Sequence, residues 1–133
     1  MKPLVTAGFA IWLLATIALR LAGQWMVRPG AVGAIVLLAV SAPLMFRLPR
    51  GLFVRFRVDP NRYALGGIAL VAPGMLLDAV SAIWFPEVFP NMSPEVAGLF
   101  GGWLLFCNVV ALVSAATASP TRTASVERLQ GAR

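Results

Sequence analysis

Residues 63–85 read YALGGIALVAPGMLLDAVSAIWF, an apolar run in which Asp78 is the only charged side chain. At about 1.5 Å per residue, a helix of this length crosses the roughly 30 Å of hydrocarbon in a lipid bilayer. Three further apolar runs lie at residues 4–26, 30–46 and 94–116. Four runs of spanning length predict an all-α fold, organised as a four-helix transmembrane bundle.

The composition favours the same fold class. Of the 133 residues, 59% are hydrophobic and 12% are charged, whereas soluble domains carry about 25% charged residues. So few charges cannot cover a surface that faces water. Because this length allows one domain, we expect a transmembrane domain at residues 1–118 and a polar cytoplasmic tail at residues 119–133.

The positions of Lys and Arg predict the orientation in the membrane. Arg28 lies on one side and Arg20 lies inside the first run, whereas the other nine share the opposite side. These nine are Lys2, Arg47, Arg50, Arg55, Arg57, Arg62, Arg122, Arg128 and Arg133. Basic residues are retained on the cytoplasmic side, so we expect both termini in the cytoplasm of a multi-pass protein of the bacterial inner membrane.

The sequence lacks residues on which several classes of function usually depend. The net charge of +6 would suit a nucleic-acid partner, but the basic residues flank the apolar runs, where membrane topology accounts for them. The chain has no histidine and one cysteine, Cys107, which disfavours metal sites, internal disulfides and histidine-based catalysis. Paired acids and an exposed nucleophile are also lacking. We therefore expect no enzyme, no metal, no cofactor and no nucleic-acid partner.

Asp78 is the main candidate for chemistry, because a charged carboxylate inside a bilayer is costly and needs a partner. Arg20 is about as far along the first run as Asp78 is along the third, roughly 24 Å from the cytoplasmic surface. Neighbouring parallel helices would bring the two together as an intramembrane ion pair. The pair could bind a proton, a cation or a polar ligand, or could only fix which helices meet. Alternatively, Arg20 could extend to the outer interface.

Other polar residues line the predicted helices. Thr16 and Gln24 lie one turn either side of Arg20 and form a polar stripe with it. Asn108, in the fourth run, is expected to bond to a neighbouring helix or to its own backbone, and a contact with a ligand is the alternative. These residues extend the candidate site along two helices.

Small residues predict close helix contacts. Gly74 lies on the same helix face as Asp78, and Gly98 and Gly102 form a G-x-x-x-G spacing in the fourth run. Such residues let helix backbones approach closely. The contact could lie within the bundle or with another protein, including a second copy of this chain.

Residues 47–62 form a basic connection between the second and third runs. Apolar and basic side chains alternate over residues 53–58, which favours an extended segment at the membrane interface. Each arginine near an anionic surface contributes about 1 kcal/mol. Candidate contacts for anionic lipids or an acidic partner are Arg47, Arg50, Arg55, Arg57 and Arg62. The alternative is that these arginines only set the orientation.

A family resemblance rests on three stretches: PGMLLD at residues 73–78, FPNM at residues 89–92 and GWLL at residues 102–105. Together they resemble a bacterial family of small integral membrane proteins of unknown function, chiefly over residues 63–116. The resemblance implies a four-helix membrane fold. It implies no established activity, so no catalytic role carries over.

Two functions remain at this stage. The first is a non-enzymatic accessory or structural subunit that packs beside a larger membrane complex. The second is a small homo-oligomeric transporter, coupled to protons or cations through Asp78. Small multidrug exporters also have four helices but carry their membrane-embedded acid in the first, where this chain has Arg20.

Overall fold

The computed structural model describes residues 1–120, and the predicted tail lies outside this part except for Ser119 and Pro120. The helices are α1 (Lys2–Met26), α2 (Ala31–Arg55), α3 (Tyr63–Ile83), α4 (Phe85–Val88) and α5 (Ala97–Ala118). Four of them, α1, α2, α3 and α5, are long and apolar enough to cross a membrane. The predicted all-α fold with four transmembrane helices is therefore confirmed.

Short turns with capping side chains lead into α3 and α5. Asp59 accepts a hydrogen bond from the backbone N–H of Asn61 at 2.9 Å, and Pro60 opens a turn of 3₁₀ helix that ends where α3 begins. Ser93 and Pro94 repeat this arrangement before α5. A side-chain acceptor followed by proline is a common helix start, because proline lacks the N–H that would need a partner.

The predicted end of the second helix at residue 46 is wrong. Helix α2 continues through Pro49 to Arg55, so most of residues 47–62 is not the extended segment predicted from alternation. The helix stops where Arg57 adopts a left-handed φ of 50° and Val58 N–H donates to the carbonyl of Phe53. This is a Schellman-type stop, and Val58 packs against the buried cluster of Leu4, Phe53 and Ala115.

The four long helices pack in the order α1, α3, α5, α2. Helices α1 and α3 run parallel, since Gly8 lies against Leu70 and Trp12 lies one turn further along against Gly74. Consecutive helices α1 and α2 share little contact. The α1–α2 and α3–α5 hairpins thus lie side by side, and α1–α2 is the least closely packed edge.

Two glycines permit the closest approaches. A Cβ at Gly8 would overlap the carbonyl oxygen of Leu70, so α1 meets α3 backbone to backbone there. A Cβ at Gly67 would overlap the Cβ of Ala115, which brings α3 against α5. Because lipid is as apolar as a helix surface, such close packing is a main source of helix association in membranes.

Polar side chains join α2 to α5 at two levels. Trp103 Nε1 donates to Ser41 Oγ at 2.8 Å. Nearer the cytoplasmic side predicted above, Arg50 Nε donates to Ser114 Oγ at 3.1 Å, and Ser114 Oγ donates to the Phe46 carbonyl. Each interhelical hydrogen bond of this kind contributes on the order of 1 kcal/mol.

An aromatic cluster closes the end of the bundle where α3 is joined to α5. Phe85, Phe89 and Phe100 are each at most 2% exposed. Their ring centroids lie 4.9–5.6 Å apart, within the range of favourable aromatic pairs. The cluster holds α4 and the segment after it against the ends of α1 and α5.

Candidate functional site

A cavity of about 140 Å³ lies at the centre of the bundle. All four long helices line it, with Trp12 on α1, Met45 on α2, Asp78 on α3 and Asn108 on α5 among its residues. The wall is mostly apolar, and a few polar groups converge on it. An apolar cavity with few polar groups is the usual form of a small-molecule site.

Asp78 is half-buried, and its carboxylate accepts a hydrogen bond from Asn108 Nδ2 at 3.3 Å. Asn108 therefore bonds to a neighbouring helix, which is one of the two structural roles expected for it. An amide donor carries no net charge and cannot neutralise a carboxylate. Within residues 1–120, the hydrogen bonds of Asp78 leave its charge to be balanced by a proton or a bound cation.

Trp12 supplies a second polar group on the cavity wall. Its Nε1 atom is buried and lies near the Asp78 carboxyl group, but it makes no well-formed hydrogen bond within residues 1–120. Buried donors nearly always find a partner, in the protein or in bound water. The unpartnered N–H on this wall therefore provides a hydrogen-bond donor for a water molecule or a ligand in the cavity.

The predicted Arg20–Asp78 ion pair is wrong. Arg20 Nη1 donates instead to the carbonyl of Val88 at 2.7 Å and more weakly to that of Glu87 at 3.4 Å. These carbonyls belong to the last turn of α4, where a helix leaves acceptors unsatisfied and carries partial negative charge. The guanidinium thus extends toward the C-terminal end of α1 and caps α4. Whether it reaches a membrane interface, the alternative interpretation of Arg20, stays a prediction.

Gln24, at the far end of the polar stripe on α1, is bonded to a residue other than Asp78. Asn91 Nδ2 donates to Gln24 Oε1 at 2.6 Å and to the Leu19 carbonyl at 3.0 Å. Thr16 is half-buried. Arg20, Gln24 and Asn91 therefore fasten the α3–α5 connection to the end of α1, and these members of the stripe have a structural role.

The predicted glycine contacts fall into two groups. Gly74 lies against Trp12, since a Cβ at Gly74 would be 3.7 Å from the Cβ of Trp12. Gly98 and Gly102 are exposed, and a Cβ at either would meet nothing within 4 Å. The G-x-x-x-G spacing is therefore not used within the described bundle.

All five arginines of residues 47–62 are exposed. Arg50 differs from the others because it bonds to Ser114 and to Thr117 Oγ1, and lies 4.4 Å from the ring centroid of Phe46. Its guanidinium is largely used within the bundle. The side chains of Arg47, Arg55, Arg57 and Arg62 stay candidates for contact with lipid headgroups.

The sequence did not identify two residues of this region. They are Trp12, which lines the cavity, and Asn91, whose amide donates to Gln24 and to the Leu19 carbonyl. Trp12 looks like any apolar packing residue, because nothing in a single sequence tells whether an indole N–H will find an acceptor. The short helix α4 does have a signal in the sequence. Pro86 and Glu87 are typical of a first helical turn, and a helix there supplies acceptors for Arg20.

The fold and the cavity define a class: a multi-pass α-helical membrane protein with an acid on the wall of an intramembrane cavity. Residues 26–122 match a family of unknown function, DUF5367, and the chain belongs to this family. The match includes Asp78 and Asn108 and leaves most of α1 outside. No curated protein and no solved structure shows significant similarity to the chain.

Proposed function

We propose that the protein is a small non-enzymatic transporter, coupled to protons or cations, in which Asp78 is the ion-binding group. One observation carries the proposal: Asp78 lies on an intramembrane cavity and its described partner is the uncharged amide of Asn108. A carboxylate in this position is stable when it is protonated or when a cation lies beside it. Exchange between these two states is the elementary step of a coupled transporter.

The surroundings of Asp78 support this role. The Trp12 N–H lies near the Asp78 carboxyl group without a well-formed hydrogen bond, so it can donate to a water molecule or a ligand beside Asp78. The cavity is large enough for several waters. Arg20, which would hold the carboxylate permanently charged if it were adjacent, is engaged at α4. The arginine distribution supports a bacterial inner-membrane protein with cytoplasmic termini.

The experiment is a charge-displacement measurement on proteoliposomes adsorbed to a solid-supported membrane, after jumps in pH or in the concentration of small cations. We expect the wild type to give transient currents and Asp78→Asn to give none. Asp59→Asn is the matched control, because Asp59 is an exposed acid outside the spans and asparagine can retain its capping bond. Currents of wild-type size from Asp78→Asn would overturn the proposal.

A second candidate, an accessory or structural subunit of a larger complex or a homo-oligomer, is favoured by the unused glycines of α5. Gly98 and Gly102 present open space on an exposed helix face. Small residues in this spacing are typical of interfaces between transmembrane helices. The partner would be another membrane helix, either from this chain or from a different subunit.

For this candidate we predict that the double substitution Gly98→Leu and Gly102→Leu disrupts association. Leucine fits the open space, so the bundle itself stays folded, but a partner helix can no longer approach closely. The measurement is light scattering after purification in mild detergent, with mass spectrometry of co-purifying chains. Gly51→Leu, at another exposed glycine with open space, is the control. An unchanged assembly in the double variant would exclude this face as the interface.

A further inference from the structure

A second hollow reaches Asp78 from the outside of the bundle. This lateral groove, of about 250 Å³, lies between α3 and α5. Its lining residues include Met75, Ala79, Ala82, Gly101 and Leu105. Asp78 and Asn108 line both the groove and the central cavity. Asp78 therefore lies between two hollows, each of them partly open to the surface of the bundle.

The groove faces the bilayer. Met75 and Leu105 at its sides are 37% and 61% exposed, and both lie within spans that are apolar enough to be surrounded by lipid. Ala79 and Ala82 are exposed as well, and a Cβ at Gly101 would meet nothing within 4 Å. The small residues leave a depression that lipid chains or a ligand dissolved in the membrane must fill.

The residues that line the groove indicate which kind of ligand it can bind. Its lining is apolar apart from Asp78 and Asn108, so an occupant needs an apolar body and a positive charge that reaches the carboxylate. A neutral hydrocarbon suits only the protonated state of Asp78, and a hydrated metal ion would leave the apolar walls exposed. A volume of about 250 Å³ is slightly below that of typical drug sites, which begin near 300 Å³.

We propose that the α3–α5 groove binds small lipophilic organic cations, such as aromatic quaternary ammonium compounds, which reach Asp78 sideways from the membrane. This inference rests on the proposed role of Asp78 as the cation-binding group, and it adds the substrate class and the route. The quaternary nitrogen lies against the Asp78 carboxylate, and the apolar body lies along Ala79, Ala82 and Gly101.

The test uses benzyltrimethylammonium and its uncharged carbon isostere, neopentylbenzene, with the full-length protein in detergent. Isothermal titration calorimetry measures binding of the cation, and the neutral isostere is added as a competitor. We expect saturable binding of the cation that the isostere does not displace. Absence of saturable binding, or displacement by an equal concentration of the isostere, would overturn the inference.

Two variants locate the site. Gly101→Leu fills the groove with a side chain that has open space to occupy, and we expect it to weaken binding at least ten-fold. Asp78→Asn removes the charge and should weaken binding to a similar extent, whereas Gly51→Leu should bind as the wild type does. Elution volume and circular dichroism check that each variant is folded. Binding that survives Gly101→Leu would contradict the groove as the site.

The currents described above separate this inference from the proposed function. If proton-driven currents depend on Asp78 but the organic cation does not bind, the substrate class is wrong and the proposed function stands. If those currents are also absent, both proposals fail. If binding occurs and competes with protons for Asp78, both are supported.

Discussion

Substituting alanine for Gly8 is expected to lower the free energy of unfolding by about 3 kcal/mol, at the upper end of typical overpacking costs. The added Cβ would overlap the carbonyl oxygen of Leu70 and lie 2.9 Å from its carbonyl carbon. Both atoms are backbone atoms of α3, so rotation of a side chain cannot relieve the overlap. Helix α1 must move away from α3, and the packing along their shared length is weakened.

The measurement is thermal unfolding in detergent, monitored by the loss of the helical circular dichroism signal. Gly51→Ala is the matched control, because Gly51 is exposed in α2 with open space beyond its Cβ position. Alanine at a helical position is favoured over glycine by about 1 kcal/mol, so this control should raise the midpoint slightly. If Gly8→Ala also raised it, the close contact between α1 and α3 would be contradicted.

The helix count could be predicted because each span is encoded locally. Residues 63–85 form an apolar run of bilayer length whatever their neighbours are, and α3 occupies nearly the same residues, Tyr63–Ile83. The end of α2 could not be predicted in this way. Pro49 and the basic residues around it indicate a boundary, yet proline is tolerated inside membrane helices, and α2 ends only at Arg55.

The predicted partner of Asp78 is wrong for a different reason. Helices α1 and α3 do pack in parallel, but the contact of Trp12 with Gly74 places Asp78 level with Thr16. Arg20 therefore lies one turn further along the bundle than Asp78, a register that counting residues from the start of each apolar run did not give. The direction in which a side chain turns also depends on the nearest acceptors. The carbonyls at the end of α4 are unsatisfied and near, and a long flexible guanidinium reaches them in preference to a half-buried carboxylate. The sequence shows that Asp78 is a possible partner for Arg20, but it does not show that the backbone carbonyls at the end of α4 compete for the same guanidinium.

This difference changes the interpretation of the site. With Arg20 as its partner, Asp78 would be permanently charged and would mainly fix the helix arrangement. With Asn108 as its described partner, the charge of Asp78 can be balanced by a proton or a cation that binds and dissociates. The same residue therefore moves from a structural role to a candidate ion-binding role because of where one arginine side chain points.

Replacing Phe100 with alanine is expected to lower the free energy of unfolding by about 3 kcal/mol. Such a substitution costs about 3–5 kcal/mol in soluble cores, part of it from the cavity left behind. The bilayer offers apolar surroundings to the unpacked chain, which reduces the transfer part of this cost, so we expect the lower end. Phe100 is 1% exposed and packs against Phe85 and Phe89, and surrounding rings cannot easily refill its volume.

Phe9→Ala is the matched control, because the same atoms are removed from a ring that is 46% exposed on α1. Thermal unfolding in detergent should separate the two variants by about 2 kcal/mol or more. Hydrogen exchange adds a local readout. Since Phe85 begins α4 and Phe89 directly follows it, loss of Phe100 should speed exchange at residues 85–92 more than in the N-terminal half of α3. Equal stability of the two variants would show that the aromatic cluster does not hold this end of the bundle together.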